Sequence, residues 1–310
     1  MPDSIDLVIP AYNASGTIRR TLDVVARQRR EDDWKFRVYV YNDGSTDATG
    51  SVLQELARQY AFLEVIDGNP NCGRSEARNR GVMAGHGDIV ILCDVDCRYT
   101  RDDTIAEFVR EIQGGADAVI GMVKVEGDGF WSRYTNSVLP ERIDSEQDQG
   151  LMAYGTTQNV ALRRSIFETL GGYGTEYRHY GFEDKDFLIR LERACDKVVV
   201  RPDLLVSHDD DLGLDDMCRK FAEAGQYTAP IFRARYPDEY QKLAYRHCDA
   251  TNGSLRGLGK PLSGIFATAF RAIARSGLAL PIGFGAKRAL VRLALCAAYF
   301  HGSKLAKEPV

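Results

Sequence analysis

Ile89-Val90-Ile91-Leu92-Cys93 is apolar at every position and is followed at once by Asp94-Val95-Asp96. Five apolar residues without polar alternation read as a strand buried on both faces, the pattern of a parallel sheet covered by helices. Sheets of that kind bind ligands at the carboxyl ends of their strands, where Asp94 and Asp96 stand. Their period-two spacing aims both side chains the same way if the strand continues to Asp96. Two carboxylates so placed suit a hard divalent cation, Mn2+ or Mg2+, which can in turn hold a diphosphate. Taken alone, Asp-x-Asp reads more simply as a strand end with solvated acids.

The preceding segments repeat one unit. Ile5-Asp6-Leu7-Val8-Ile9-Pro10 is a strand stopped by proline, and Ala11-Tyr12-Asn13 follows it. Residues 17–28 carry Ile18, Leu22 and Val25 at helical spacing. A second strand, Phe36-Arg37-Val38-Tyr39-Val40-Tyr41, runs into the turn Asn42-Asp43-Gly44-Ser45-Thr46-Asp47. Asp47 is the expected N-cap of a helix over about 48–60. A short strand over 63–66 comes next. Asn71-Cys72-Gly73-Arg74-Ser75-Glu76-Ala77-Arg78-Asn79-Arg80-Gly81 then opens a third helix before the apolar run. The order β-α-β-α-β-α-β predicts a parallel sheet with right-handed crossovers.

The later half carries two further signals. Tyr180-Gly181-Phe182-Glu183-Asp184-Lys185-Asp186-Phe187 reads as a tight loop opening an amphipathic helix, with Phe187, Leu188, Leu191 and Ala194 on one face. Glu183 and Asp184 sit at its positive end, which favours ionised carboxylates; two acids stabilising a helix start is the plainer alternative. Val206-Ser207-His208-Asp209-Asp210 follows a β-like run over 197–201 and an expected Pro202-Asp203 turn. His208 is either a metal ligand or a histidine in a polar turn.

These motifs, in this order, resemble the family 2 glycosyltransferases of the GT-A fold. That family carries Pro-x-Tyr-Asn after its first strand, an Asp-Asp-Gly-Ser-Thr-Asp turn, a Gly-x-x-x-Ala-Arg-Asn-x-Gly helix and an Asp-x-Asp strand end. The counterparts here are Pro10 to Asn13, Asn42 to Asp47, Gly73 to Gly81 and Asp94 to Asp96. One departure is visible: Asn42 replaces the first aspartate of the turn. The resemblance covers roughly residues 5–210. It implies a mostly parallel α/β sheet flanked by helices, with a C-terminal helical appendage. Residues 1–210 would be the catalytic domain, with a nucleotide-binding half over 1–100 and an acceptor half over 101–210. Residues 211–310 would be the helical region.

The resemblance also implies roles. The Glu183-Asp184 loop is similar to that of inverting family 2 enzymes and of galactosyltransferase-type C-terminal regions, which makes Asp184 the general base beside Glu183. Asp96 is the first choice as metal ligand. Asp94 is a second ligand or a ribose contact, and His208 resembles the late histidine that completes Mn2+ sites in several GT-A enzymes. Pro10, Tyr12, Asn13, Asp43, Arg74, Arg78, Asp94 and Val95 would form the nucleotide-sugar site, with Tyr12 stacking on the base. Asp43 would read that base, and a UDP-sugar is the favoured donor. Trp131 and Tyr180 are the acceptor candidates, Trp131 being equally a packing residue. The implied reaction is hexosyl transfer to a hydroxyl of a glycan or glycolipid in polysaccharide biosynthesis, by one inverting displacement. Two rivals stay open. A polyprenyl-phosphate glycosyl transferase has an acceptor that is already anionic. A sugar nucleotidyltransferase would need a glycine-rich basic loop that Ile9-Pro10-Ala11-Tyr12-Asn13 does not supply.

Composition bounds the rest. A chain of 310 residues, 44% hydrophobic and 27% charged, is globular. Its seven scattered cysteines show no Cys-x-x-Cys pattern and predict free thiols in a reducing compartment. The first strand begins too early to leave room for a signal peptide, so a cytoplasmic protein is expected. Charge divides sharply: residues 256–310 hold nine basic residues against Glu308, a net +8, leaving −12 for residues 1–255. Apolar helices expected over 262–276 and 284–301 carry Arg271 with Arg275 and Arg288 with Arg292, four apart. The apolar run over 293–300 is far short of the roughly 20 residues that span a bilayer. A basic amphipathic pair reads as a peripheral anchor on an anionic inner membrane face, or as a docked appendage or homodimer interface. An acidic catalytic half without a recognition motif argues against nucleic acid.

Overall fold

The computed structural model describes residues 4–138, 146–209, 213–251, 257 and 259–306. Expectations touching residues 1–3, Asp210, Arg256, Lys307 and Glu308 lie outside them. Two compact units divide the chain. The first comprises Met1–Gly127, Tyr154–Thr175 and Asp184–Asp210, and the second Asp128–Ala153, Glu176–Glu183 and Asp211–Val310.

The first unit is an α/β sandwich on one eight-stranded mixed sheet, ordered β3-β2-β1-β4-β7-β6-β8-β5. The half formed by residues 4–93 follows the expected pattern. β1 (Ser4–Ala11), β2 (Lys35–Asp43), β3 (Leu63–Gly68) and β4 (Ile89–Cys93) are parallel neighbours, joined by α1 (Ile18–Ala26), α2 (Thr49–Gln59) and α3 (Arg74–Ala84). Every residue of β4 is buried, as its unbroken apolar run requires. Ile18, Leu22 and Val25 of α1 are buried together because steps of four and three return to one helix face. The other half adds β5 (Cys97–Tyr99), α4 (Thr104–Gln113), β6 (Ala118–Val125) and β7 (Asn159–Arg163). β7 lies antiparallel between β4 and β6, so the sheet changes direction beside Asp94. α7 (Arg164–Leu170), α8 (Glu183–Ala194) and β8 (Val198–His208) complete the unit.

Four local expectations need correction. β4 stops at Cys93, because the Cys97 N–H donates to the Asp94 carbonyl (3.0 Å) and closes a turn. Asp94 and Asp96 therefore do not share a strand face. Pro202-Asp203 is not a turn between elements: β8 runs through it, with a bulge opposite Gly121 where the register with β6 slips. A bulge is where a strand tolerates proline. Asp47 does not cap α2 by position, since Ala48 occupies the N-cap. Its carboxylate instead accepts from the Ser15 hydroxyl (2.7 Å) and the Thr49 N–H (3.0 Å), tying two loops together. Cys248 and Cys296 form a disulfide, against the expectation of uniformly free thiols, while the other five cysteines are free.

The second unit is helical. It contains α5 (Phe130–Asn136), α6 (Glu146–Gln149), α9 (Leu214–Glu223), α10 (Ala229–Arg235), α11 (Pro237–Lys242), α12 (Lys260–Ala279) and α13 (Phe284–Leu305). Its core joins Tyr134 to Leu214, Ala274, Val291, Leu295 and Ala298. One π-helical turn, Ala224–Thr228, continues α9.

Candidate active site

A single guanidinium organises the carboxyl ends of the strands. Arg78 is only 1% exposed. One of its terminal nitrogens donates to Asp94 Oδ1 (2.8 Å) and the other to Asp184 Oδ1 (3.2 Å). Its charge also lies 5.1 Å from the Tyr173 ring centre. Asp184 Oδ1 takes a second hydrogen bond from Thr157 Oγ1 (2.6 Å), which itself accepts from the Tyr173 hydroxyl (2.6 Å). Both bonds fall on Oδ1, leaving Oδ2 to face other partners. Asp94 Oδ2 accepts from Gln158 Nε2 (3.0 Å). Burial alone would push the Asp94 carboxyl up. The charge and hydrogen bond of Arg78, with Arg74 and Gln158, hold it below the usual carboxylate range.

Asp96 belongs to a second cluster. The turn aims it at β8, where its Oδ2 lies 3.2 Å from His208 Nε2. Strand pairing enforces this meeting, since Cys97 of β5 is in register with His208. The turn itself is fixed from outside: Thr21 of α1 donates to the Val95 carbonyl (2.7 Å), and the Asp209 N–H donates to the Asp96 carbonyl (2.9 Å). Asp96, Cys97 and His208 bring ligand atoms within 4.8 Å of one another. Oxygen and imidazole nitrogen suit Mn2+, so the pair fits the expected ion. Burial pushes the Cys97 thiol well up, which makes it the weakest of the three ligands. Asp94 lies outside this cluster.

The residues expected to bind the nucleotide sugar divide between exposed and structural positions. Tyr12 follows β1 with its ring 51% exposed, open to stacking. Asn13 has φ +49°, a conformation asparagine tolerates, and its Oδ1 accepts from the Thr46 N–H (2.8 Å). Asp43 is buried. Its two oxygens accept from the N–H groups of Cys72 (2.8 Å) and Gly73 (3.0 Å), so it holds the loop entering α3. Gly44 beside it has φ +66°, and a Cβ there would lie 2.8 Å from the Asn71 nitrogen. The departure at Asn42 has a local cause. Asn42 is in register with Asp67 and donates to it through Nδ2 (2.8 Å), where a second carboxylate would repel. Pro10 pairs with Tyr41 across β1 and β2, and Arg74 opens α3.

Residues 6–171 match the model described as Glycosyl transferase family 2. The chain belongs to that family. Among its relatives, an uncharacterized glycosyltransferase, YaiP, of Escherichia coli (strain K12) is 35% identical over 58% of this chain and 44% of its own length. An undecaprenyl-phosphate 4-deoxy-4-formamido-L-arabinose transferase of Pseudomonas savastanoi pv. phaseolicola is 22% identical over 71% of this chain and 60% of its own. The chain thus spans about half the length of the curated relatives it matches. The mannosyltransferase PcManGT of Pyrobaculum calidifontis, solved with GDP-Man and Mn2+, superposes with a TM-score of 0.61. It covers 96% of this chain and 86% of that one at 21% identity, a likeness of fold.

Beyond the family motifs, the site contains residues that sequence reading missed. Thr157 and Gln158 directly precede the Asn159 strand and Tyr173 follows α7, none of them with a periodic or motif signal. Asp186 reads in the sequence only as part of the Glu-Asp loop. It is fully buried and binds Arg190 (2.6 Å), whose other nitrogen donates to the Leu170 and Gly172 carbonyls. Their i, i+4 spacing was the available signal. Two acceptor candidates lie in the second unit. Trp131 packs edge-on against Phe130 (5.1 Å), in the aromatic cluster of α5 and α13. Tyr180 is held by α9: Glu223 accepts from its N–H (3.1 Å), and Lys220 lies over its ring. Glu183 is 2% exposed. Phe182 before it has φ +71°, a strained conformation for a bulky residue.

Proposed function

We propose that the protein transfers a hexosyl group from a nucleotide-diphosphate sugar, a UDP-sugar first, to a hydroxyl of a glycan or glycolipid, with inversion. The observation that carries this reading is the Arg78 bridge, which fixes Asp184 through one oxygen and turns the other away from its supports. Asp184 Oδ2 accepts the proton of the acceptor hydroxyl. The oxygen then attacks the anomeric carbon, and the bond to the diphosphate oxygen breaks with its electron pair leaving on the phosphate. Thr157 and Tyr173 hold the carboxylate still while the proton moves. Tyr12 stacks on the base, and Arg74 stands at the α3 N-terminus on the diphosphate side. Asp96 and His208 would hold Mn2+ or Mg2+, which would offset charge developing on the leaving diphosphate.

The test is hydrolysis of UDP-, GDP- and dTDP-sugars with Mn2+, followed by transfer and anomer assignment by NMR. Asp184→Asn is expected to leave donor binding intact and lower kcat by about 10²–10⁴-fold. Asp96→Ala and His208→Ala should raise the Mn2+ concentration needed for half-activation. No Mn2+-dependent binding or turnover of any donor would overturn the reading, and a retained anomer would overturn the single displacement. The polyprenyl-phosphate relative supports a second reading, in which an anionic acceptor needs no base. Full activity of Asp184→Asn on a polyprenyl phosphate would favour it.

A further inference from the structure

The outer surface of the α12–α13 hairpin is apolar and acid-free. Among the described residues, seven of ten exposed large hydrophobic side chains fall between Leu262 and Leu293. Leu262, Ile265, Phe266 and Ile273 share one face of α12, since steps of three, four and eleven return to the same side. Ile265 is 63% exposed and Phe266 42%. Leu280 and Ile282 continue the surface through the hairpin turn, and Leu293 extends it on α13. No aspartate or glutamate occurs from Ala250 to Lys307. Lys260 at the start of α12 and Arg292 beside Leu293 are exposed on the same hairpin.

Two of the four arginines that the sequence suggested for a membrane face are engaged within the protein. Arg271 and Arg275 lie about half a turn from the Leu262 face. They pair with Asp215 of α9 at 3.8 Å and 2.6 Å. The exposed side of α12 carries its large apolar residues, and on α13 the exposed Arg292 stands next to Leu293. No described helix is long and apolar enough to cross a membrane. An exposed apolar face on an acid-free, cationic hairpin belongs to a helix lying in the headgroup layer. A second copy seated face to face would bring two acid-free cationic surfaces together, which like charge disfavours.

We propose that this face of α12, with the hairpin turn and Leu293, inserts into the surface of a bilayer containing anionic lipid. Ile265 and Phe266 enter the acyl boundary, while the cations of this acid-free hairpin meet the headgroups. The experiment is flotation of the full chain with phosphatidylcholine vesicles, with and without phosphatidylglycerol. The protein should float with the anionic vesicles and stay behind with the neutral ones. Ile265→Asp and Phe266→Asp should each lower the partition coefficient by about tenfold or more. Both positions are exposed, so melting temperature should hold. Phe266→Trp keeps the apolar character and should be quenched by brominated lipid, a readout that does not depend on loss of binding. Failure to float with anionic vesicles would overturn the proposal. So would equal binding of the two aspartate variants, or a dimer in solution that they dissolve. No donor or acceptor is present, so failure here would leave the transferase reading standing.

Discussion

Arg78 carries two anions on one buried cation, and its planar fork is what allows it. An ammonium donates from a single nitrogen and cannot hold two carboxylates on the separate, coplanar donors that Arg78 uses. Arg78→Lys should therefore keep the charge and lose the geometry. A fall in kcat of about a hundredfold is expected, with donor affinity changed less, as steady-state kinetics on the best donor would show. An unchanged kcat would mean that the bridge does not position Asp184. The sequence supplied the residue types of this site but not the bridge. Arg78, Asp94 and Asp184 were legible through motifs, each with a separate role. That one side chain joins the other two depends on α3 meeting α8, across 106 positions of chain. That Asp96 and His208 would meet was implied only by the family resemblance; the turn after Cys93 and the pairing of Cys97 with His208 that bring them together carry no signal of their own. Thr157 and Tyr173 were invisible, since a hydroxyl relay has no spacing of its own.

The elements most legible were those whose burial is periodic. α1 and β4 follow directly from their apolar patterns, and their ends fall within two residues of expectation. What the patterns left open were turns and bulges set by distant partners. The stop after Cys93 is fixed by Thr21 and by Asp209, and the β8 bulge by its pairing with β6. Helix-on-helix contact is equally hidden. Gly302 of α13 meets α9 so closely that a Cβ would lie 2.0 Å from the Ala222 carbonyl oxygen, with backbone rather than a movable side chain in the way. Gly302→Ala should cost about 1–3 kcal/mol by urea unfolding. Gly285→Ala is the control on the same helix, because nothing lies within 4 Å of where its Cβ would stand. It should be neutral or stabilising by up to about 1 kcal/mol through helix propensity. Equal effects at the two sites would refute the close approach.

Across the whole molecule, two aspartates give the fold an acid limit. Burial would raise the Asp94 and Asp249 carboxyls, but their partners win and hold both below the ordinary range. Arg78 dominates at Asp94; at Asp249 the partners are Tyr240, Thr251 and Arg233. A carboxyl with a lowered folded pKa stabilises the fold above its unfolded value, near 3.9, and loses that contribution as pH falls through the folded value. Urea midpoints should therefore be steady from about pH 7 to 5 and decline below about pH 4. Asp249→Asn should flatten part of that decline. The two units raise a further matter, because neither is one continuous stretch. Tyr134, Phe130 and Trp131 precede β7 in the chain, yet their packing partners Leu214, Val291 and Leu295 come far later. During synthesis these aromatic residues leave the ribosome long before the helices that cover them. The growing chain must carry an uncovered aromatic patch until α13 arrives, which makes the interval before α13 emerges the one in which a chaperone has something to hold.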